Sequence, residues 1–187
     1  MKTLKTAIIA ATLTFGAAPA ALAVDASASI ATSYLFRGEE MNSGSPAVSA
    51  DVSGSTSGLT YGIWVSSGDT QTEYDLYLDY SGAVGDIGYS VGYVDYNYAT
   101  SPDESDLEEI YVGLSYGPAS VTYYDNQGND DTYTVVGYEV GDFSFAYGDA
   151  DSTHFDVSYA VNDSLSLTVS KPEDADAIVV ASYSLPF

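Results

Sequence analysis

The feature that most constrains the fold of this chain is an alternation of apolar and polar residues with a period of two. It is clearest in residues 73–80, whose apolar members are Tyr74, Leu76, Leu78 and Tyr80. Successive side chains of a β-strand point to opposite faces, so this pattern is typical of a strand with one apolar face. Helical periodicity is absent, and about twelve such stretches follow one another. The sequence therefore predicts an all-β fold of about twelve strands, with ten as the alternative because three stretches are short.

The first and last stretches delimit the predicted sheet. The first is predicted to place Ile30, Tyr34 and Phe36 on its apolar face. The last alternates back from Phe187 through Tyr183, so the chain ends on an apolar, aromatic strand. An apolar, aromatic last strand is unexpected in a soluble acidic domain. We therefore expect the apolar face of this strand to contact lipid.

Short and long connections alternate between the predicted strands. The short ones, such as residues 55–58 and 82–86, are rich in the turn-forming residues Gly, Asn, Asp and Pro. The longer ones, such as residues 37–46 and 97–108, are more acidic. An even strand number with this loop pattern is the signature of a bacterial outer-membrane barrel whose short turns face the periplasm. The prediction is an antiparallel up-and-down transmembrane β-barrel in the bacterial outer membrane.

Residues 1–23 are predicted to be a cleaved secretory signal peptide. Lys2 and Lys5 precede an apolar run, and Ala21 and Ala23 form a small-x-small cleavage site. No later segment is long and apolar enough to span a membrane as a helix. Residues 24–187 are then the barrel, a single domain without a linker.

The charge of the chain is strongly acidic. Without the signal peptide, two basic residues remain against 27 acidic ones, which gives a net charge of 2 − 27 = −25. Such a surface repels nucleic acid, so no nucleic-acid partner is expected. The chain is 45% hydrophobic and 13% aromatic, which argues against disorder, and it contains no cysteine to form disulfides.

Aromatic residues on the apolar parity lie beside the predicted short turns. This predicted membrane girdle comprises Tyr61, Tyr80, Tyr89, Tyr116, Tyr138, Phe143, Tyr159 and Phe187. Aromatic residues around one end of a barrel mark the interface between lipid and water. The expected partners are outer-membrane lipid and, through the C-terminal strand ending in Phe187, the barrel-assembly machinery. A soluble β-sandwich, the alternative, explains the alternation but not this girdle.

The opposite parity carries the acidic residues. The predicted lumen and selectivity residues are Arg37, Asp51, Trp64, Glu73, Asp75, Tyr77, Asp79, Glu109, Tyr111 and Glu139. An acidic lining favours cations, and low-dielectric walls focus its field. Twelve strands are intermediate between a filled eight-stranded barrel and an open sixteen-stranded one, so both a narrow pore and a filled lumen remain open.

Part of the chain resembles a known family. The stretches "SYLFRGEEMNSGSPAVSADV", "SGLTYGIWVSSGD" and "YDLYLDYSG" are similar to the TorF family of outer-membrane porins, the Gcw_chp group. The matching residues are Ser33, Tyr34, Arg37, Gly38, Pro46, Ala47, Val48, Gly62, Trp64, Tyr74, Asp75 and Tyr77. The resemblance covers residues 26–98 and implies an outer-membrane β-barrel.

Few residues suggest catalysis or metal binding. The chain has one histidine, His154, two residues before Asp156, and a lipid hydrolase using it is a third alternative. No Gly-x-Ser-x-Gly motif accompanies it, so the histidine is interpreted as a lumen or rim residue. Acidic loops such as residues 125–131 do not have EF-hand spacing. The prediction is no enzyme, no cofactor and no metal site, with weak divalent binding by the loops as the alternative.

The predicted function is therefore that of a porin. We expect passive diffusion of small polar or cationic solutes through an acidic lumen. The second hypothesis is a barrel with a closed lumen that acts as a binding or structural outer-membrane protein through its acidic loops.

Overall fold

The computed structural model describes residues 23–68, 71–99 and 107–187, and the predicted signal peptide lies outside them except for Ala23. The strands are β1 (Ala23–Ala31), β2 (Leu35–Phe36), β3 (Glu39–Glu40), β4 (Ala47–Thr56), β5 (Leu59–Ser67), β6 (Thr72–Val84), β7 (Ile87–Tyr98), β8 (Leu107–Tyr116), β9 (Ala119–Asn126), β10 (Thr132–Val140), β11 (Phe143–Asp149), β12 (Thr153–Ala160), β13 (Leu165–Pro172) and β14 (Ile178–Pro186). No helix in this part of the chain is long and apolar enough to cross a membrane.

Twelve of these strands form a closed barrel. Each pairs antiparallel with its neighbours in the chain, and β1 bridges from β4 to β14 to close the sheet. At this closure Ile30 lies opposite Tyr183 on β14 and opposite Val48 on β4. Strands β2 and β3 pair only with each other. The prediction of a twelve-stranded, antiparallel, up-and-down barrel is confirmed.

The two ends of the barrel are built differently, as the loop pattern predicts. At one end, tight turns join β4 to β5 and β6 to β7, for example at Ser57-Gly58, where both residues have positive φ, 50° and 86°. A type I′ turn requires this, and its twist matches that of the paired strands. At the other end lie the longer connections, of which residues 32–46 form the longest described one. We call these the short-turn end and the long-loop end.

The outer face of the barrel is apolar. In every predicted stretch except the first, the large side chains on the apolar parity point outward, as Leu78 and Val112 do with about half of their surface exposed. The polar parity points inward, where Ser158 and Ser170 are buried. This is the reverse of a soluble protein, because the described residues leave the outer apolar side chains uncovered.

The predicted first strand is wrong in its second half. Strand β1 ends at Ala31, and Thr32 makes a last backbone hydrogen bond to Ala181 on β14. The chain then leaves the sheet, so Tyr34 and Phe36 do not continue the outward face of Ile30. They belong instead to the segment of residues 32–46, which folds into the barrel.

Candidate lumen site

The segment between β1 and β4 carries a two-residue hairpin at its centre. Strands β2 and β3 are joined by Arg37 and Gly38, which have φ of 49° and 84°, the positive values of a type I′ turn. Asn42, which is 1% exposed, holds the base of this segment. Its Oδ1 accepts hydrogen bonds from the backbone N–H of Tyr34 at 2.9 Å and the hydroxyl of Ser33 at 3.4 Å. We refer to residues 35–40 as the lumen hairpin.

The rings of the lumen hairpin and its base contact inward-facing residues of several strands. Tyr34 lies 5.7 Å from Trp64 on β5, centroid to centroid, and Phe36 lies 6.1 Å from Tyr96 on β7. Tyr34 also hydrogen-bonds to Glu73 on β6, and burial, followed by the charge of Glu73, raises the pKa of Tyr34. These contacts, with those of Arg37 and Gly38 below, place the hairpin inside the barrel near its long-loop end.

Arg37 at the tip of the hairpin is enclosed by aromatic rings and one carboxylate. Its Nη2 donates to Oε2 of Glu109 at 2.5 Å, and Tyr96 donates to the same oxygen at 2.9 Å. The guanidinium carbon lies 4.3 Å from the ring centroid of Tyr133 and 5.1 Å from that of Tyr124. We call Tyr96, Glu109, Tyr124 and Tyr133 the arginine cage.

The cage keeps Arg37 charged. Burial alone would lower the pKa of its guanidinium, but the hydrogen bond and the charge of Glu109 raise that pKa above its ordinary value. Cation–π contacts with rings removed from water add about 1–2 kcal/mol of attraction. Lys171 lies on an exposed part of β13 and donates to the carbonyl oxygen of Ala175, so of the two lysine and arginine residues that the structure describes, only Arg37 lies in the lumen.

Gly38 seats the hairpin against β12. A Cβ atom on Gly38 would lie 2.5 Å from the Cβ of His154, so only glycine permits this approach. His154 is buried, with Nε2 2.9 Å from the hydroxyl of Tyr133 and Nδ1 3.2 Å from Oδ1 of Asp156. The chain's one histidine is thus part of the wall that receives the hairpin.

Three tyrosines lie flat against the inner wall and reach across a neighbouring strand. Each passes over a glycine to a polar group two strands away. The sets are Tyr77–Gly62–Asp51, Tyr111–Gly92–Asp79 and Tyr133–Gly148–His154. The hydroxyl-to-acceptor distances are 2.9, 3.0 and 2.9 Å, respectively.

These tyrosine bridges depend on the missing side chain of the central residue. A Cβ atom on Gly62 would lie 2.5 Å from the hydroxyl of Tyr77, and one on Gly92 would lie 2.2 Å from Cζ of Tyr111. Glycine costs backbone entropy in a strand, and here the close approach of a ring accounts for it. Two of the bridges give a carboxylate, that of Asp51 or Asp79, a neutral hydrogen-bond donor, and the third ends on His154.

The lining changes towards the short-turn end. There the inward residues are small and polar, and they bond to one another across neighbouring strands. Ser158 lies 2.8 Å from Thr168, measured between hydroxyl oxygens, and where β1 closes on β14 Ser29 lies 2.9 Å from Ser184. The large side chains of the lumen are thus concentrated at the long-loop end, with the hairpin.

The structure brings most of the predicted lumen residues to the inner face. Glu73, Asp75, Asp79, Glu109 and Tyr111 are buried there, and Arg37, Asp51, Trp64 and Tyr77 are partly buried. Glu139 differs, because it lies at the short-turn end of β10 and is exposed, outside the buried cluster. Oδ1 of Asp75 is buried and receives no hydrogen bond from the described residues.

The predicted girdle residues all lie on the outer face. Seven of them are among the exposed large side chains, and Tyr89 is partly exposed beside Tyr80. The sequence reading missed a second row of outward aromatic residues nearer the long-loop end. It comprises Tyr74, Tyr93, Tyr123, Tyr147 and Phe155. Two aromatic rows with aliphatic residues between them are typical of a membrane barrel.

The sequence-based prediction also misses three members of the site. Tyr96, Tyr124 and Tyr133 are not among the predicted lumen residues, and His154, two residues before Asp156, is interpreted there as a lumen or rim residue. Tyrosine on the polar parity of adjacent strands is the signal that would have indicated an aromatic inner wall. Among the described residues, no group of three His, Cys, Asp or Glu side chains is placed to hold a metal ion.

Comparisons with known proteins give structural likenesses only. No family model and no curated protein matches the chain. The outer membrane phospholipase A from Escherichia coli is 12% identical over 86% of this chain and 91% of its own, with a TM-score of 0.46. An active-site mutant of that phospholipase is 13% identical over 88% and 90%, with a TM-score of 0.44. A structure described as "Asymmetric conductivity of engineered proteins" is 11% identical over 89% and 99%, with a TM-score of 0.34.

These likenesses correct one prediction. The sequence reading excluded an enzyme, yet the structures similar to this barrel include an outer-membrane phospholipase. The barrel pattern therefore gives no ground for excluding an activity, and that prediction is wrong. At 12% identity and a TM-score of 0.46, the likeness carries no argument for an activity of this chain.

Proposed function

We propose that the protein is a bacterial outer-membrane channel for small polar or cationic solutes, closed in this conformation by the lumen hairpin. Its location in a membrane is supported by the outer face, where aliphatic side chains lie between two rows of aromatic residues. The resemblance to the TorF porins, which stays a prediction, implies that this membrane is the bacterial outer membrane.

The observation that carries the proposal is the way the hairpin is held inside the barrel. Among the described residues the hairpin pairs with no barrel strand, and its tip is held by the ion pair of Arg37 with Glu109 and by the rings around that guanidinium. It can leave the lumen without breaking a hydrogen bond of the barrel sheet. A permanently filled barrel would more simply be filled by side chains of its own wall.

The charges of the lumen support a preference for cations. The buried acids Glu73, Asp75 and Asp79 face the interior, and Arg37 is their basic neighbour on the hairpin. Two of them accept hydrogen bonds from tyrosine hydroxyls, Asp79 from Tyr111 at 3.0 Å and Glu73 from Tyr34. Oδ1 of Asp75 receives no hydrogen bond from the described residues, and a passing cation would interact with it favourably.

A second candidate is a barrel whose lumen stays closed and which binds partners through its loops. The burial of Tyr111, Asp79 and Glu109, each 5% exposed or less, favours it. The two candidates differ in whether the lumen hairpin moves.

Single-channel recording in planar bilayers under a KCl gradient tests the proposal. We expect the protein to give brief, cation-selective openings. Gly38→Ala prevents the hairpin from seating on His154 and is expected to prolong them. Gly44→Ala is the matched control, since Gly44 lies in the same segment with φ of 78°, but its Cβ would meet only the flexible carboxylate of Glu40, at 3.4 Å.

The outcomes separate the two candidates. Longer openings in Gly38→Ala than in Gly44→Ala support a channel closed by the hairpin. Silence of all three proteins, each shown to be folded and inserted, would overturn the channel and favour the closed barrel.

A further inference from the structure

We propose that the arginine cage is a binding site for the guanidinium group of a solute, and that Arg37 occupies it in this conformation as an internal competitor. The inference rests on the proposed channel, because a solute reaches the cage through the lumen. It specifies a class of ligand, namely small molecules that carry a guanidinium group.

The cage belongs to the barrel and not to the hairpin. Tyr96, Glu109, Tyr124 and Tyr133 lie on the four consecutive strands β7, β8, β9 and β10. They are held by the sheet, in which Tyr124 pairs with Tyr133. If the hairpin withdraws, the cage remains as three rings around one carboxylate.

Hydrogen bonds within the cage and to its neighbour His154 fix the positions of the cage side chains. The hydroxyl of Tyr96 donates to Oε2 of Glu109 at 2.9 Å, and that of Tyr133 lies 2.9 Å from Nε2 of His154. The rings of Tyr124 and Tyr133 stand 5.7 Å apart, centroid to centroid. Pre-organised groups of this kind bind a ligand with little further loss of side-chain entropy.

The geometry suits guanidinium better than other cations. The guanidinium carbon of Arg37 lies 4.3 Å from the centroid of Tyr133, and its Nη2 donates to Oε2 of Glu109 at 2.5 Å. A guanidinium is planar and weakly hydrated, so it stacks on rings and pairs with a carboxylate at the same time. An ammonium is a compact, strongly hydrated point charge, and a metal ion requires more oxygen ligands than the cage offers.

The cage without Arg37 should attract a cation strongly. Glu109 is 5% exposed with the hairpin in place, and when the hairpin withdraws its carboxylate keeps the hydrogen bond from Tyr96 but loses its cation. Arg37 satisfies this need from within the same chain, at the high effective concentration of a short tether. A solute guanidinium that replaces Arg37 would therefore favour the withdrawn hairpin, which couples binding to opening.

Equilibrium binding to the protein purified from membranes in detergent tests this inference. The probes are L-arginine, L-citrulline, in which a neutral urea replaces the guanidinium, and L-lysine, in which an ammonium does. The variant Arg37→Asn empties the cage while retaining a residue type that tolerates φ of 49°. Arg37→Gly serves if the first variant does not fold.

We expect Arg37→Asn to bind L-arginine at least about tenfold more tightly than the unaltered protein does, because the internal competitor is gone. The same variant should prefer L-arginine about tenfold over both L-citrulline and L-lysine, which corresponds to about 1.4 kcal/mol. Adding Glu109→Gln, which keeps the shape of the side chain, should abolish that preference. Calorimetric titration measures all of these affinities.

Three results would overturn the inference. They are equal affinities for L-arginine and L-citrulline, equal affinities for L-arginine and L-lysine, and an affinity that Arg37→Asn does not raise. The readout needs no conductance, so a silent barrel that binds L-arginine would refute the channel alone. A conducting barrel without the preference would refute the cage alone.

Discussion

Replacing Gly92 by alanine should destabilise the barrel, although alanine is ordinarily the better residue in a strand. A Cβ atom at this position would lie 2.2 Å from Cζ and 2.3 Å from the hydroxyl of Tyr111, where ordinary contacts begin at 3.4 Å. The ring must therefore move by more than an ångström. That movement breaks its 3.0 Å hydrogen bond to the buried carboxylate of Asp79.

The expected magnitude follows from three contributions. Forcing an extra methyl group into a packed site costs about 1–3 kcal/mol. Leaving the Asp79 acceptor without its donor costs about 1–3 kcal/mol. Replacing glycine by alanine in a strand stabilises the folded state by about 0.5–1 kcal/mol, because the unfolded chain loses conformational entropy. The net expectation is a loss of about 3 kcal/mol in the free energy of unfolding.

The matched control is the same substitution in a Tyr111→Ala background. Without the ring there is neither a clash nor a hydrogen bond to lose, so Gly92→Ala should be neutral or stabilising by up to about 1 kcal/mol. Urea unfolding of the four proteins in lipid vesicles, followed by the fluorescence of the single tryptophan, Trp64, gives the coupling energy. The reasoning is refuted if Gly92→Ala changes stability equally in both backgrounds.

Three further substitutions probe other parts of the barrel. Val112→Arg on the outer face, between the two aromatic rows, should cost about 2–4 kcal/mol in lipid vesicles, and Ser115→Arg on the inner face should cost much less, by urea unfolding; equal costs would contradict a lipid-facing Val112. Asn42→Ala removes the acceptor at the base of the hairpin segment and should cost about 1–3 kcal/mol, with faster proteolysis within residues 32–46; unchanged proteolysis would show that Asn42 does not hold the segment. Ser57→Asn places a residue that favours positive φ in the β4–β5 turn and should stabilise by about 0.5 kcal/mol, and a loss of stability would argue against the type I′ turn.

Alternation predicted the barrel strands because it is a local property. Each strand has one face towards lipid and one polar face. The side chains of Leu76 and Asp79 therefore show which face is which without reference to any other strand. The alternation of short and long connections then predicted the order of pairing, because neighbours joined by tight turns must be antiparallel. These two signals predicted an antiparallel barrel of about twelve strands with ten as the alternative, and twelve strands close between β1 and β14.

The same local rule failed at the lumen hairpin. Tyr34 and Phe36 continue the parity of Ile30, so nothing in their spacing indicates that the chain has left the sheet. The decision depends on contacts across the barrel, such as Arg37 with Glu109, 72 residues further along the chain. The arginine cage was missed for a related reason, because Tyr124 and Tyr133 face one another only in the register of β9 with β10.

The composition of the lumen follows from the scarcity of basic residues. The chain has 27 acidic residues but one arginine, so most buried carboxylates cannot be paired with a cation. Tyrosine supplies hydroxyl donors instead, as Tyr111 does for Asp79, and a neutral donor stabilises a carboxylate without cancelling its charge. The lumen is therefore lined by acids and hydroxyl groups, and among the described residues Arg37 is the arginine or lysine that faces them. Under the proposed function, withdrawal of the hairpin opens the passage and exposes this acidic lining in a single movement.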